Sequence, residues 1–180
     1  MRVYVVLEDA DISFAPDSRL DILHQCLLVL HDSPLNKDSN LRVYVRTKGN
    51  ELIEVNPSLS VPRTLDLFTT LIDTLVKNRK IKSANSGNIL MKMIPNKLES
   101  VLPSNSYSVG FSTTGKLVKL SSFLSSYDFN RTLVVHVGTT SSDHSEGTTE
   151  NVDEVICISE HPLSAAHCLS KLTTELLQLI

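Results

Sequence analysis

Tryptophan is absent from this 180-residue chain and aromatic residues make up only 5% of it. The balance of 41% hydrophobic and 21% charged residues is still that of an ordinary globular protein. That length suits one domain, residues 1–180, with a real core. Three cysteines, Cys26, Cys157 and Cys168, are odd in number and lack zinc spacing. This argues against a disulfide framework and points to reduced thiols in a cytosolic or nuclear compartment. No apolar run approaches the roughly eighteen residues that a membrane span needs, so no membrane partner is expected. The opening Met-Arg-Val-Tyr-Val-Val-Leu-Glu lacks the apolar core and cleavage site of a signal peptide and reads as a strand.

Net positive charge is lacking as well. A formal charge of −3 argues against a strongly basic nucleic-acid binder. Its distribution is uneven, however. Residues 42–97 hold ten Lys/Arg against four Asp/Glu, whereas residues 143–160 hold six acids and no Lys or Arg. Such asymmetry permits a basic patch on an acidic body.

Alternation and periodicity divide the chain. Strands are predicted at residues 2–8, 41–47, 51–55, 90–94, 107–111, 131–137 and 155–159. Helices are predicted at 20–32, 120–126 and 163–179, with another from Leu65 to about Lys77, capped by Thr64 and apolar along Leu65, Phe68, Ile72, Leu75 and Val76. Residues 78–87 read as a basic loop and 138–152 as a polar, acidic one. Strands alternating with helices indicate an α/β fold with a mostly parallel sheet flanked by helices.

The helix at 20–32 carries an unusual polar stripe. Asp21, His24, Gln25, His31 and Asp32 share one side, while Ile22, Leu23, Cys26, Leu27, Val29 and Leu30 form an apolar arc, and Pro34 ends the helix. Acids and imidazoles on a largely buried helix need partners or a task.

Ligand loops in parallel sheets lie beyond the carboxyl ends of the strands. Three such ends share small or kinked residues: Gly110-Phe111-Ser112, Val137-Gly138-Thr139 and Ile158-Ser159-Glu160-His161-Pro162-Leu163. None is a GxGxxG or GxxxxGK[ST] phosphate motif, and no GxSxG elbow supports a serine hydrolase. Cys157, His161, His167 and Cys168 match no structural zinc spacing, so no metal is expected. Arg63, held by Val61-Pro62 at a helix start, suits either anion capture or a plain exposed position.

Three segments together resemble one family. Arg-x-Asp-Ile-x-His-Gln-x-Leu-Leu-x-Leu-x-Asp-Ser-Pro-Leu-Asn (19–36), Leu-Ile-Glu-Val-Asn-Pro with Val-Pro-Arg-Thr (52–64), and Ile-Ser-Glu-His-Pro-Leu-Ser-Ala-Ala (158–166) are similar to the signatures of the ribosome-biogenesis, pseudouridine-N1-specific rRNA methyltransferases. These are SPOUT-class enzymes. The resemblance implies a C-terminal deep trefoil knot, a homodimer with the active site at the subunit interface, and S-adenosyl-L-methionine as cofactor. It implies a cofactor site at Phe111, Ser112, Gly138, Gly147, Ile158, Ser159, Glu160, His161, Pro162 and Leu163. Asp32, Arg19 and Arg63 are the implied catalytic residues: Asp32 orients or removes the N1 proton, its pKa adjusted by the apolar helix, and the arginines hold phosphate or developing negative charge. Asp21, His24 and Arg63 fall at positions that bind RNA or hold the structure. Small-subunit rRNA and pre-ribosomal particle proteins are the implied partners, in the nucleus and nucleolus, or in the cytoplasm if the source is not eukaryotic. Ser60 and Leu67 stand where the family pattern carries basic residues. That departure leaves a ribosome-assembly RNA-binding factor with weak or no methyltransferase activity as the alternative.

Overall fold

The computed structural model describes residues 2–141 and 148–179. In chain order the elements are β1 (Val3–Ala10), α1 (Leu20–Asp32), α2 (Pro34–Lys37), β2 (Leu41–Thr47), β3 (Leu52–Val55), α3 (Leu65–Asn78), β4 (Lys80–Lys82) and β5 (Ile89–Ile94). There follow α4 (Leu98–Val101), β6 (Ser106–Leu117), α5 (Leu120–Ser126), β7 (Thr132–Gly138), β8 (Glu154–Cys157) and α6 (Ala165–Leu177). All eight strands join one sheet in the order β4-β5-β3-β2-β1-β7-β6-β8. The pairs β1–β2, β1–β7, β6–β7 and β6–β8 are parallel, and the β3, β4 and β5 extension is antiparallel.

The apolar N-terminal run becomes a central strand because it can be buried on both faces. Val3, Val5 and Leu7 of β1 join the main core with Leu23, Leu27 and Leu30 of α1, Phe68 and Ile72 of α3, and Leu169 and Leu172 of α6. Val6 points the other way, into a smaller cluster with Tyr44, Leu52, Ile94, Leu98 and Val134. α6 packs on α1, α2 and α5.

Several expected boundaries change. The basic loop at 78–87 contains β4, a three-residue edge strand. The strand expected at 107–111 runs on to Leu117, and the final helix is shorter than expected, from Ala165 to Leu177. The last strand starts and ends earlier than 155–159, at Glu154–Cys157. On α3, Phe68, Ile72 and Leu75 are buried as expected, but Leu65 and Val76 face outward.

Two glycines are demanded by close backbone approach. A Cβ on Gly110 would lie 1.6 Å from the carbonyl oxygen of Thr148, and one on Gly115 would lie 2.5 Å from the carbonyl carbon of Ile156. β8 meets β6 twice: Ile156 pairs with Phe111 and again with Lys116, so residues 112–115 make an excursion around it.

Candidate active site

α1 has polar chemistry at both ends, and the two ends open into different spaces. At its start, Arg19 Nε and an Arg19 terminal nitrogen donate to the Asp21 carboxylate at 2.9 and 2.8 Å. The guanidinium holds the Asp21 carboxyl below its ordinary range. Both residues border a cavity of about 360 Å³ beyond the ends of β7 and β8, beside the middle of β6, where the sequence predicts a strand end at Phe111 but the strand continues to Leu117. Its wall includes Phe111, Ser112, Gly138, Ile158, Ser159, His161 and Leu163. Glu160 and Pro162 belong to the same loop but do not contribute to that wall, and Gly147 lies outside the described residues.

The loop after β8 is shaped by its own polar groups. The Cys157 thiol donates to the Ser159 carbonyl at 3.0 Å, and the His161 amide donates to Ser159 Oγ at 3.1 Å. Ser164 then caps α6, its Oγ accepting from the His167 amide at 3.2 Å. The first turn of α6, Ala165 and Ala166, also borders the cavity. Small side chains there leave the positive end of a helix dipole open to a ligand. Both alanines are the last residues of the 158–166 segment that resembles the family signature, although the expected cofactor contacts stop at Leu163. Cys168, also in the wall, has its thiol pushed up to about 11 by burial, so it is protonated at neutral pH.

At the other end of α1, the Asp32 carboxylate accepts two hydrogen bonds from Arg63, one of them at 3.0 Å. Arg63 holds the Asp32 carboxyl below its ordinary range. The expectation that an apolar helix sets this pKa is therefore corrected. Asp32 is about half exposed, and a guanidinium governs it. Together the pair borders a groove of about 790 Å³ with Ser60, Lys37, Arg42 and Lys92. Arg19 is absent from this groove, and 13 residues of helix separate it from Asp32 by about 20 Å. Within one chain the three expected catalytic residues thus form two groups, not one.

His24 and His31 have separate fates. His24 is buried; its Nε2 donates to the Pro62 carbonyl at 2.6 Å, and its ring stacks on Phe68 at 4.6 Å between centroids. It ties α1 to the chain leading into Arg63. His31 is buried with neither ring nitrogen partnered, and burial pushes its pKa down to about 4. It is neutral at physiological pH.

The sequence model of the EMG1/NEP1 methyltransferase family matches residues 9–177. The chain belongs to this family. Two relatives, both named ribosomal RNA small subunit methyltransferase NEP1, are from Candida albicans and Homo sapiens. The first is 39% identical over 155 residues, covering 86% of this chain and 58% of the relative. The second is 37% identical over 158 residues, covering 88% and 63%. The chain therefore spans about three-fifths of these relatives' length. Among solved structures, Archaeoglobus fulgidus Nep1 bound to S-adenosylhomocysteine matches the fold with a TM-score of 0.76, 21% identity and coverage of 99% of this chain and 98% of that one.

One feature of this EMG1/NEP1 chain escaped sequence reasoning. Glu8, fully buried at the end of β1, accepts from Arg46 Nε at 2.7 Å and from His136 Nδ1 at 2.7 Å. Its backbone carbonyl accepts from the Thr139 amide at 2.9 Å and Thr139 Oγ1 at 2.8 Å. Through that backbone carbonyl, β1 holds the turn that follows Gly138. A polar, ionisable residue inside each of three apolar strands was the available signal.

Proposed function

We propose that this chain is a methyltransferase domain that uses S-adenosyl-L-methionine to methylate N1 of a pseudouridine in small-subunit rRNA. The observation that carries the reading is the cavity at the ends of β7 and β8, where their two loops, the middle of β6 at residues 111–113 and the first turn of α6 converge beside Arg19. Its residues fit the cofactor. Phe111, Ile158 and Leu163 would offer apolar walls for a base, backbone groups of the loops would offer donors and acceptors, and the paired Arg19 and Asp21 would offer charged groups at the same cavity. The curated relatives are named as small-subunit rRNA methyltransferases, and a structural neighbour is bound to the demethylated form of the same cofactor.

The bound cofactor supplies an electrophilic methyl group on a sulfonium. Pseudouridine offers N1 as a nucleophile once its proton has gone. The ionised Asp32 carboxylate accepts a hydrogen bond from N1–H and orients the base, and Arg63 stabilises negative charge that grows on the ring. Because Arg63 weakens Asp32 as a base, Asp32 orients and the proton leaves to solvent. Positioning carries most of the rate, and direct transfer of methyl from sulfonium to nitrogen needs no metal.

The 20 Å between the two ends of α1 supports the expected homodimer: a second copy that sets its Asp32–Arg63 groove against this cavity closes the gap between donor and base. The excursion of residues 112–115 around Ile156 supports the expected trefoil knot, and the single sheet supports reading 1–180 as one domain. A nucleolar role among pre-ribosomal proteins accords with the eukaryotic relatives.

A second reading, an rRNA-binding assembly factor with little turnover, is favoured by Ser60, an uncharged residue in the groove wall, and by the exposed Leu67. Calorimetric titration with S-adenosyl-L-methionine separates the two. Binding that Arg19→Ala weakens is expected for the enzyme; no binding at millimolar ligand leaves the assembly factor.

A further inference from the structure

The antiparallel extension of the sheet places a row of cations beside the groove. Lys80 of β4 pairs directly with Lys92 of β5, and Lys82 pairs with Ile89. Lys92 and Ile89 both border the groove that holds Asp32 and Arg63, so each lysine of β4 stands opposite a groove residue. Lys80, Lys82 and Lys92 are exposed. Directly opposed like charges in an antiparallel pair are destabilising. Glu54, on the next strand, faces Lys92 in register and offsets that one charge.

The neighbouring cations are not offset. Arg63, Lys77 and Arg79 have carboxylate partners in Asp32, Asp73 and Glu51. Lys37, Arg42, Lys80 and Lys82 have no ion pair among the described residues; the Arg42 guanidinium reaches only the Leu41 carbonyl. With Asp32 taken by Arg63 and Glu54 facing Lys92, the strip carries an uncompensated positive charge along one side of a half-open groove. The same groove has a neutral Ser60 in its wall. Residues on alternate positions of β4 repeat at about 7 Å, a spacing that suits successive anionic groups along an extended polymer.

We propose that Lys80 and Lys82, with Lys37 and Arg42, form a track for the RNA phosphate backbone flanking the target nucleotide, running from the Asp32–Arg63 groove onto the free edge of the sheet. The proposal rests on the rRNA methyltransferase reading. The partner is RNA and not an acidic protein because the track is continuous with the groove that receives the base, and because point charges without hydrogen-bonded shape suit a sequence-independent backbone contact. It supplies phosphate contacts that Ser60 and Leu67 do not.

The test measures binding of a fluorescently labelled RNA hairpin with a pseudouridine in its loop, as a function of salt, for the whole chain and for Lys80→Ala/Lys82→Ala. Each phosphate neutralised by a lysine contributes about 0.7 to the magnitude of the slope of log affinity against log salt on single-stranded RNA. The double variant is expected to lower that slope by roughly 1.4 and to bind S-adenosyl-L-methionine unchanged, which shows that it is folded. Lys80→Arg/Lys82→Arg is expected to restore the slope. An unchanged slope in the alanine variant overturns the track. So does loss of binding to a polyglutamate peptide without loss of RNA binding, which assigns the strip to a protein partner. If the unaltered chain binds the cofactor but no RNA at all, the rRNA reading itself falls, an outcome distinct from failure of the track alone.

Discussion

Glu8 and His136 stand 128 residues apart in sequence, yet share a 2.7 Å hydrogen bond inside the sheet, where both side chains are almost wholly hidden from solvent. Arg46 closes the triad from the other strand. A buried charge held this way is expensive to strand, because removing one member leaves the others without a partner. Glu8→Ala is therefore expected to lower unfolding free energy by about 3–5 kcal/mol, read from the denaturant midpoint. A midpoint within experimental error of the parent would show that the triad contributes nothing net.

His31 gives the chain a pH dependence with a defined sign. Its folded pKa is pushed down to about 4 from an ordinary 6.5. Between those values the unfolded chain binds a proton that the native one does not, so stability is present above pH 6.5 and is lost as pH falls toward 4. The loss is expected to be on the order of 2–3 kcal/mol. His31→Phe should flatten the curve in that window, and urea unfolding at pH 7, 5.5 and 4.5 measures it.

Gly110→Ala tests the close approach to Thr148. With a Cβ 1.6 Å from that carbonyl oxygen, the backbone must shift. Overpacking of this kind costs about 1–3 kcal/mol, and because Thr148 also borders the cavity, cofactor affinity should fall with it. Gly49→Ala, whose nearest neighbour would be 3.7 Å away, is the control and should leave cofactor affinity unchanged.

The split between the two ends of α1 separates binding from turnover. Arg19→Ala is expected to weaken S-adenosyl-L-methionine binding. Asp32→Asn and Arg63→Ala should leave that affinity intact while lowering turnover by about 100-fold through misplacement of the base. Since the Asp32–Arg63 pair is exposed and screened by solvent, its loss should leave stability nearly unchanged. Calorimetry and single-turnover methylation on the same variants distinguish the two effects.

What could be read in advance follows from how local each signal is. α1 was legible to the residue, because a 3.6-residue period with Pro34 at its end is written in adjacent positions. The strand ends at Gly138 and Ile158 were legible one by one; the end expected at Phe111 is instead the middle of β6, yet the structure gathers Phe111, Gly138 and Ile158 into one wall. β4 was missed because Lys80-Ile81-Lys82 is three residues long and polar at both ends, a pattern shared by edge strands and loops. The extension of β6 was missed because Ser112-Thr113-Thr114-Gly115 has no alternating apolar face. The separation of Arg19 from Asp32 was hidden by the helical wheel, which shows the faces of a helix and removes its length. The Glu8–Arg46–His136 triad joins three strands that only the folded sheet brings side by side.

Nucleoside mass spectrometry decides the central claim most directly. The chain is incubated with S-adenosyl-L-methionine and either of two small-subunit rRNA hairpins that differ only in carrying pseudouridine or uridine at one loop position. The account predicts N1-methylpseudouridine from the first hairpin and no methylated base from the second. Equal methylation of both hairpins, or none of either under conditions where the cofactor binds, would contradict it.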